Sequence, residues 1–191
     1  MLVADNWDDG GRFPEDSDRV GQWVPGGYVK QRIYLDERPI GDARAAIQSG
    51  INNGALLMNY VGHGALDRLA QEGMLTTADV PGLSNGAKLP VVLALTCVVG
   101  RYGVPGFDCL GEALLMKDGG GAIGVWAPTG LSMNDAAMQL DGGFLQSRFT
   151  DGETVLGDAV LSALEDYGAI GFEKYMLQIY NLLGDPALRM K

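Results

Sequence analysis

Two stretches of the chain decide its fold: LLMNYVGHG at residues 56–64 and VVLALTC at residues 91–97. Each is a continuous apolar run that ends in a reactive side chain with glycine nearby, His63 in the first and Cys97 in the second. Apolar runs without polar alternation are typical of strands buried on both faces of a parallel sheet. A buried strand ending in a nucleophile beside one ending in a base is how an α/β enzyme assembles a Cys–His pair. Because His63 is the only histidine, the choice of base is not ambiguous.

The rest of the chain alternates between predicted strands and predicted helices. This alternation predicts an α/β layer fold with right-handed crossovers. Sites in such sheets collect beyond the carboxyl ends of the strands, where His63 and Cys97 both lie. The predicted strands are Met1–Ala4, Val29–Leu35, Ala55–Val61, Pro90–Leu95, Ala122–Ala127 and a short tail strand, Pro186–Met190. The predicted helices are Asp42–Asn52, Phe107–Met116, Asp135–Phe149, Thr154–Tyr167 and Phe172–Leu183.

Length and net charge limit the classes of protein to which this chain can belong. The 191 residues indicate one domain, 1–191, with excision from a longer precursor left open. A net charge of −10 without a Lys/Arg cluster argues against nucleic acid and against anionic membrane surfaces. No apolar run approaches the roughly 20 residues that span a bilayer, and the first residues show no signal-like segment. The acidic balance permits a basic substrate, and solubility alone explains it equally well.

The chemistry of the two reactive residues predicts acyl transfer. A thiol attacks best as a thiolate, and an imidazole can take its proton and later pass it to a leaving amine. The backbone N–H groups of Gly64 and Cys97 are the candidate donors to the oxyanion. Cys109 is interpreted as a second free thiol, because a disulfide to it would disable Cys97. In the alternative, Cys97 is a small buried apolar residue and His63 a turn residue. A zinc site is disfavoured because one His and two Cys do not complete a ligand set.

Five segments together resemble the gingipain family of cysteine peptidases, part of the caspase-like group with legumain, separase and clostripain. The resemblance is strongest over residues 55–129 and returns at 180–188. It implies a caspase-like three-layer α/β/α sandwich with a mostly parallel sheet. The segments are NYVGHG, LTTADVPGLSNGAKLPVVLALTCVVGRY, GEALL, GGAIGVWAPTG and NLLGDPAL.

The resemblance also assigns roles. It implies His63 as general base and acid, Cys97 as nucleophile, and Gly64 with Cys97 as the oxyanion hole. Family members place an acidic residue after the first strand, directed towards the histidine; Asp5 matches that place best and Asn6 comes next. A carboxylate there would fix the imidazole tautomer and stabilise the imidazolium. The alternative for Asp5 is a helix or turn cap.

The specificity pocket is predicted with less support. Arginine-specific members carry an Asp at the bottom of the S1 pocket, and the segment Glu15-Asp16-Ser17-Asp18 falls in that region. Asp18 is the closer match by its Ser-Asp pair, although its spacing from Asp5 departs from the family pattern by a residue or two. In the alternative, Asp16 or Ser17 caps the short segment Asp18–Trp23. The segment after Thr129 lacks the aromatic residue expected over the pocket, so basic P1 specificity stays a hypothesis. The residues assigned to the pocket walls are Trp126, Thr129 and Met133.

The sequence therefore predicts a cysteine endopeptidase that acts on a polypeptide and needs no organic cofactor. Its rivals are a transpeptidase or sortase-like processing enzyme and an inactive caspase-like scaffold. Some family members bind structural calcium, and the acidic loop DNWDDGGRFPED invites that prediction although it fails the EF-hand template. The resemblance favours a secreted or cell-surface location and further domains of a longer precursor as partners, because related proteins begin with another α/β subdomain.

Overall fold

A mostly parallel sheet forms the centre of the molecule in the computed structural model, which describes residues 1–170 and 173–190. Within that part, the sheet consists of β1 (Leu2–Ala4), β2 (Arg32–Tyr34), β3 (Leu57–Val61), β7 (Val91–Leu95), β8 (Gly124–Pro128) and β9 (Tyr180–Gly184). A small antiparallel sheet is formed by β4 (Gly64–Ala65), β5 (Arg68–Leu69) and β6 (Leu75–Thr76). The order across the large sheet is β2-β1-β3-β7-β8-β9, and only the β8–β9 pair is antiparallel.

Helices cover both faces of this sheet. They are α1 (Phe13–Val20), α2 (Ile40–Asn53), α3 (Leu110–Met116), α4 (Asn134–Phe149), α5 (Leu156–Ile170) and α6 (Met176–Ile179). Buried residues of α1, α4 and α5 form one apolar cluster with one set of strand side chains. Residues of α2 and α3 form a second cluster with the other set. The predicted α/β/α sandwich with a mostly parallel sheet is therefore confirmed.

Strand pleating divides the two clusters. In β3, Met58 and Tyr60 face the α2 side, whereas Val61 faces the α4 side. In β7, Val92 and Ala94 likewise join the α2 side. Both strands lie in the middle of the sheet and are buried on both faces, which explains why their sequences are apolar without alternation.

The predicted helix Phe172–Leu183 is wrong over most of its length. Phe172 lies outside the described residues, α6 is a single turn, and the chain from Tyr180 onwards is strand β9. This strand pairs with β8 in the register Trp126↔Leu182. Apolar residues at helical spacing could not reveal that the edge of β8 needed a hydrogen-bonding partner.

The predicted tail strand Pro186–Met190 is also wrong. That segment makes one isolated bridge, Val155↔Arg189, and adds no strand to the large sheet. Neither α1 nor the β4–β6 sheet was predicted, and both lie next to His63. Over residues 1–170 and 173–190, no helix has the length and apolar character needed to span a membrane.

Candidate active site

His63 and Cys97 occupy equivalent places on neighbouring parallel strands. Val61 of β3 pairs with Leu95 of β7, and each reactive residue follows two positions later. Both line one cavity of about 760 Å³ at the carboxyl end of the sheet. The shared register thus brings His63 and Cys97 to the same edge of the sheet, as the sequence predicted for residues that follow such strands.

The imidazole of His63 is held by the loop that follows β1. Nε2 lies 2.9 Å from Oδ2 of Asp8 and 3.3 Å from Oδ1. The edge of Phe13 packs against the ring at a centroid distance of 5.2 Å. Gly10 lies so close that a Cβ there would come within 2.7 Å of ring atoms. Because Asp8 engages Nε2, Nδ1 is the nitrogen left to exchange a proton with a thiol.

Asp5, predicted to orient this ring, does something else. Its Oδ2 accepts the backbone N–H of His63 at 3.1 Å, and Oδ1 accepts that of Asn6 at 2.9 Å. Desolvation raises the pKa of Asp5. Since Ala4 pairs with Val61, Asp5 lies beside the backbone before His63 and anchors that backbone. The amide of Asn6, the second candidate, faces its neighbour's carbonyl oxygen. The prediction is corrected: the carboxylate at the ring belongs to Asp8.

Cys97 sits at a strained turn. The N–H of Val99 donates to its carbonyl oxygen at 2.6 Å, and the intervening Val98 has φ of 43°. A β-branched residue in the left-handed region costs about 1–3 kcal/mol and is retained only where the surroundings fix it. Here the Val98 N–H is fixed by the carbonyl of Gly130 at 3.0 Å. The turn keeps the thiol at the cavity instead of letting the chain continue as strand.

Within the described residues, one backbone N–H is directed at the sulfur of Cys97. The N–H of Ser132 points at Sγ from 3.4 Å, and Sγ lies 3.7 Å from the carbonyl oxygen of Ser132. An N–H directed at sulfur stabilises negative charge there. In the described ranges, no hydrogen bond joins the imidazole to Sγ, and the Cys97 N–H has no protein acceptor.

Gly64 is required by close packing. A Cβ at this position would collide with Oγ1 of Thr96 and would lie 3.0 Å from the carbonyl oxygen of Cys97. The antiparallel ladder here joins the Ala70 N–H to the His63 carbonyl at 2.8 Å, which leaves the Gly64 N–H directed away from that pairing. The two predicted oxyanion donors, on Gly64 and Cys97, therefore lie on backbones in direct contact.

Asp18, predicted as the pocket acid, lies half a helical turn away from the face of α1 that lines the cavity. Asp18 accepts from Tyr34 at 2.9 Å and from Arg32 at 3.1 Å, and it does not line the cavity. Asp16, which belongs to the same predicted segment, lines it. Its Oδ2 accepts from Nδ2 of Asn134 at 2.7 Å.

Two of the three predicted wall residues lie elsewhere. Trp126 is fully buried between Phe144 and Tyr180, because its position on β8 faces the helix layer. Thr129 donates through its N–H and Oγ1 to the carbonyl of Ile179, so it ties the loop after β8 to the start of β9. Met133 does line the cavity and is half exposed.

The acidic loop does not present a metal cage. Asp5 and Asp8 are turned to protein donors as described, and Oδ1 of Asp8 also accepts the N–H of Gly10 at 2.7 Å. Among residues 1–170 and 173–190, no three His, Cys, Asp or Glu side chains converge as a metal site requires.

Comparison with known proteins places the chain in a family. The family model described as peptidase family C25 matches residues 1–191. The chain therefore belongs to the C25 family of cysteine peptidases, and its resemblance to gingipains is confirmed. A comparison with curated proteins gives no significant match.

Solved structures agree on the fold. The Arg-specific cysteine proteinase gingipain R (RgpB) superposes with a TM-score of 0.82 at 21% identity, over 99% of this chain and 47% of that one. The complex of Porphyromonas gingivalis RgpB pro- and mature domains gives a TM-score of 0.82 at 21% identity, over 99% and 48%. A structure described only as a protease gives 0.76 at 16% identity, over 100% and 48%. This chain thus spans about half the length of the structures it resembles.

Proposed function

We propose that this chain carries a cysteine endopeptidase site in which Cys97 is the nucleophile and His63 the general base and acid. The observation that carries the proposal is the matched placement of the two residues, each two positions past paired strand ends and facing one cavity. Family membership makes a polypeptide the substrate class.

Peptide cleavage follows from these contacts as two acyl transfers. His63 Nδ1 takes the thiol proton, and the sulfur attacks the carbonyl carbon while Ser132 N–H supports its charge. The carbonyl oxygen becomes an oxyanion that the N–H groups of Cys97 and Gly64 stabilise. Asp8 stabilises the imidazolium, which then protonates the leaving amine as the C–N bond breaks and a thioester remains. Water, deprotonated by His63, attacks the thioester carbonyl, and the C–S bond breaks to release the carboxylate product and the thiol.

The charge of the cavity favours a basic side chain at P1. Its described lining carries the carboxylates of Asp8, Asp9, Asp16 and Asp135. Two guanidinium groups, those of Arg12 and Arg19, oppose them. A concave site with excess negative charge concentrates cationic ligands. We therefore assign the contact with a P1 Arg or Lys to Asp16, whose side chain is only 8% exposed.

A panel of fluorogenic peptides with Arg, Lys, Asn, Asp and Leu at P1 tests this proposal. We expect turnover after Arg and Lys, and we expect Cys97→Ala to lower it at least about 10³-fold, because the covalent step is lost. Cys109→Ala is the matched control, since that thiol is buried and burial raises its pKa to about 11. Products formed with an added amine acceptor would distinguish transpeptidation from hydrolysis. Equal activity in the Cys97 variant would overturn the assignment.

A further inference from the structure

The pocket acid is already occupied by a side chain of the protein itself. Arg19 Nη2 lies 3.0 Å from Oδ1 of Asp16, one turn earlier on α1, while Asn134 holds Oδ2 at 2.7 Å. Arg19 and Asp16 line the same cavity as His63 and Cys97. The guanidinium therefore stands where a basic P1 side chain would have to bind.

The two partners of this ion pair differ in burial. The Asp16 side chain is 8% exposed, so its carboxylate is fixed in place by α1 and by Asn134. The Arg19 side chain is 69% exposed, so it reaches the carboxylate from solvent on a flexible stem. A buried carboxylate is costly to leave without a partner, whereas an exposed guanidinium is readily solvated. One guanidinium can thus be exchanged for another without stranding a buried charge.

We propose, on the basis of the function proposed above, that Arg19 is an internal competitor that occupies the Asp16 subsite until a substrate Arg or Lys displaces it. The binding free energy of an incoming P1 side chain is then reduced by the free energy of the contact between Arg19 and Asp16, which has to be broken first. Arg19 thereby sets how strongly the enzyme prefers basic substrates, and it does so through binding, since it touches no reacting atom. Its effect belongs in KM for basic substrates and leaves kcat unaltered.

Arg12 offers a charge-matched comparison. It lines the same cavity and carries the same charge, but it pairs with Glu15 at 3.4 Å and both side chains are about two-thirds exposed. Arg12→Gln removes one positive charge from the cavity without vacating Asp16. A difference in P1 selectivity between Arg12→Gln and Arg19→Gln therefore separates the effect of vacating Asp16 from the effect of removing one positive charge from the cavity.

The test measures the ratio of kcat/KM for P1 Arg to kcat/KM for P1 Leu. An ion pair with one solvent-exposed partner contributes about 1 kcal/mol, so Arg19→Gln should raise this ratio about 5-fold through a lower KM for the Arg substrate. Arg12→Gln should raise the ratio by clearly less, because it changes only the general field of the cavity and does not vacate Asp16. A ratio in Arg19→Gln that is unchanged or lower, or a rise of equal size in Arg12→Gln, would overturn the proposal.

A binding measurement separates this inference from the catalytic proposal. Agmatine, a small guanidinium compound, is titrated into Cys97→Ala protein by calorimetry, with thermal unfolding recorded to show that each variant is folded. Adding Arg19→Gln should tighten agmatine binding about 5-fold, adding Arg19→Lys less so, and adding Asp16→Asn should abolish it. Failure of peptide turnover in the wild type would count against the function proposed above. Agmatine that binds equally with and without Arg19 would count against the competitor.

Discussion

Two buried carboxylates in the same helix layer have opposite surroundings. Asp16 on α1 and Asp141 on α4 are each held by an asparagine amide, from Asn134 at 2.7 Å and from Asn59 at 2.5 Å. Asp16 also has the guanidinium of Arg19 and an opening to the cavity. Asp141 is fully buried, and its only described hydrogen-bond partner is the neutral amide of Asn59. The difference separates a carboxylate that can exchange cations from one that is sealed within the core.

The sealed carboxylate is best understood as a neutral acid. Burial raises the pKa of Asp141 to about 8. In the described part of the chain, its Oδ2 and the Oδ1 of Asn59 both have no hydrogen-bond partner. A buried Oδ2 without a donor favours the protonated, uncharged acid, which keeps the hydrogen bond from Nδ2 of Asn59 to Oδ1. A buried acid–amide pair of this kind stabilises the junction of β3 and α4 without placing a charge in the core.

The largest effect is expected from breaking this sealed pair. Asp141→Ala leaves the amide of Asn59 buried without a partner and opens a small void, so the free energy of unfolding should fall by about 3 kcal/mol. Asp141→Asn preserves the shape and an acceptor for the amide of Asn59 and should cost less than about 1 kcal/mol. Urea unfolding at pH 5 measures both. Equal losses in the two variants would show that the pairing contributes nothing.

The same pair predicts a dependence on pH. Burial raises the folded pKa of Asp141 above the ordinary value of 3.8, so between about pH 4 and pH 8 the folded state keeps a proton that the unfolded state has lost. The stability contributed by Asp141 is therefore complete below pH 4 and is lost as the pH rises towards 8. Between pH 4 and pH 8, the free energy of unfolding of the wild type should therefore fall relative to that of Asp141→Asn. A difference that stays constant with pH would contradict a protonated Asp141.

An intermediate effect, on kcat/KM, is expected for the carboxylates that face the open cavity. Asp8→Asn keeps a side chain near His63 Nε2 but removes the charge that stabilises the imidazolium, so kcat/KM should fall about 10-fold. Asp9→Asn removes the same charge from the same cavity without a described contact to the ring. If the two variants lose activity equally, the effect is one of cavity charge, and Asp8 has no specific role.

The smallest effect is expected at Asp18. Its carboxylate faces Tyr34 and the half-exposed Arg32, away from the cavity, so Asp18→Asn should change P1 selectivity less than about 2-fold and stability by less than about 1 kcal/mol. Asp16→Asn should remove the preference for Arg and Lys over Leu. Loss of that preference in the Asp18 variant alone would restore the assignment that the sequence favoured.

The sheet could be predicted because its buried strands are recognisable in isolation. The apolar runs in β7 and β8 are unbroken and the run in β3 is interrupted only by Asn59; the positions of His63 and Cys97 follow from where the β3 and β7 runs stop. Strand β9 was missed because its residues also satisfy a helical spacing, and only the edge of β8 decides between the two structures. Pairing partners that are distant in sequence leave no local signal.

The other site residues, Asp16 and Asp8, could be predicted only by knowing which face of α1 is buried and how the loop after β1 turns. In α1 the buried residues are Phe13, Asp16, Ser17 and Val20, spaced three, four and seven positions apart. Had that helix been predicted, this spacing would have placed Asp16 inwards and Asp18 outwards. Asp8 carried no comparable signal, because its reach to His63 depends on the turn at Asp8–Gly11.

The pairing of Val61 with Leu95 has a consequence for folding. A slip of one residue between β3 and β7 would displace His63 relative to Cys97 by about 3.3 Å and turn one strand's side chains to the wrong layer. Compact molecules with native-like helix content but a slipped sheet would be silent towards substrate. Catalytic activity in a refolded sample would therefore count the molecules whose central strands are correctly aligned.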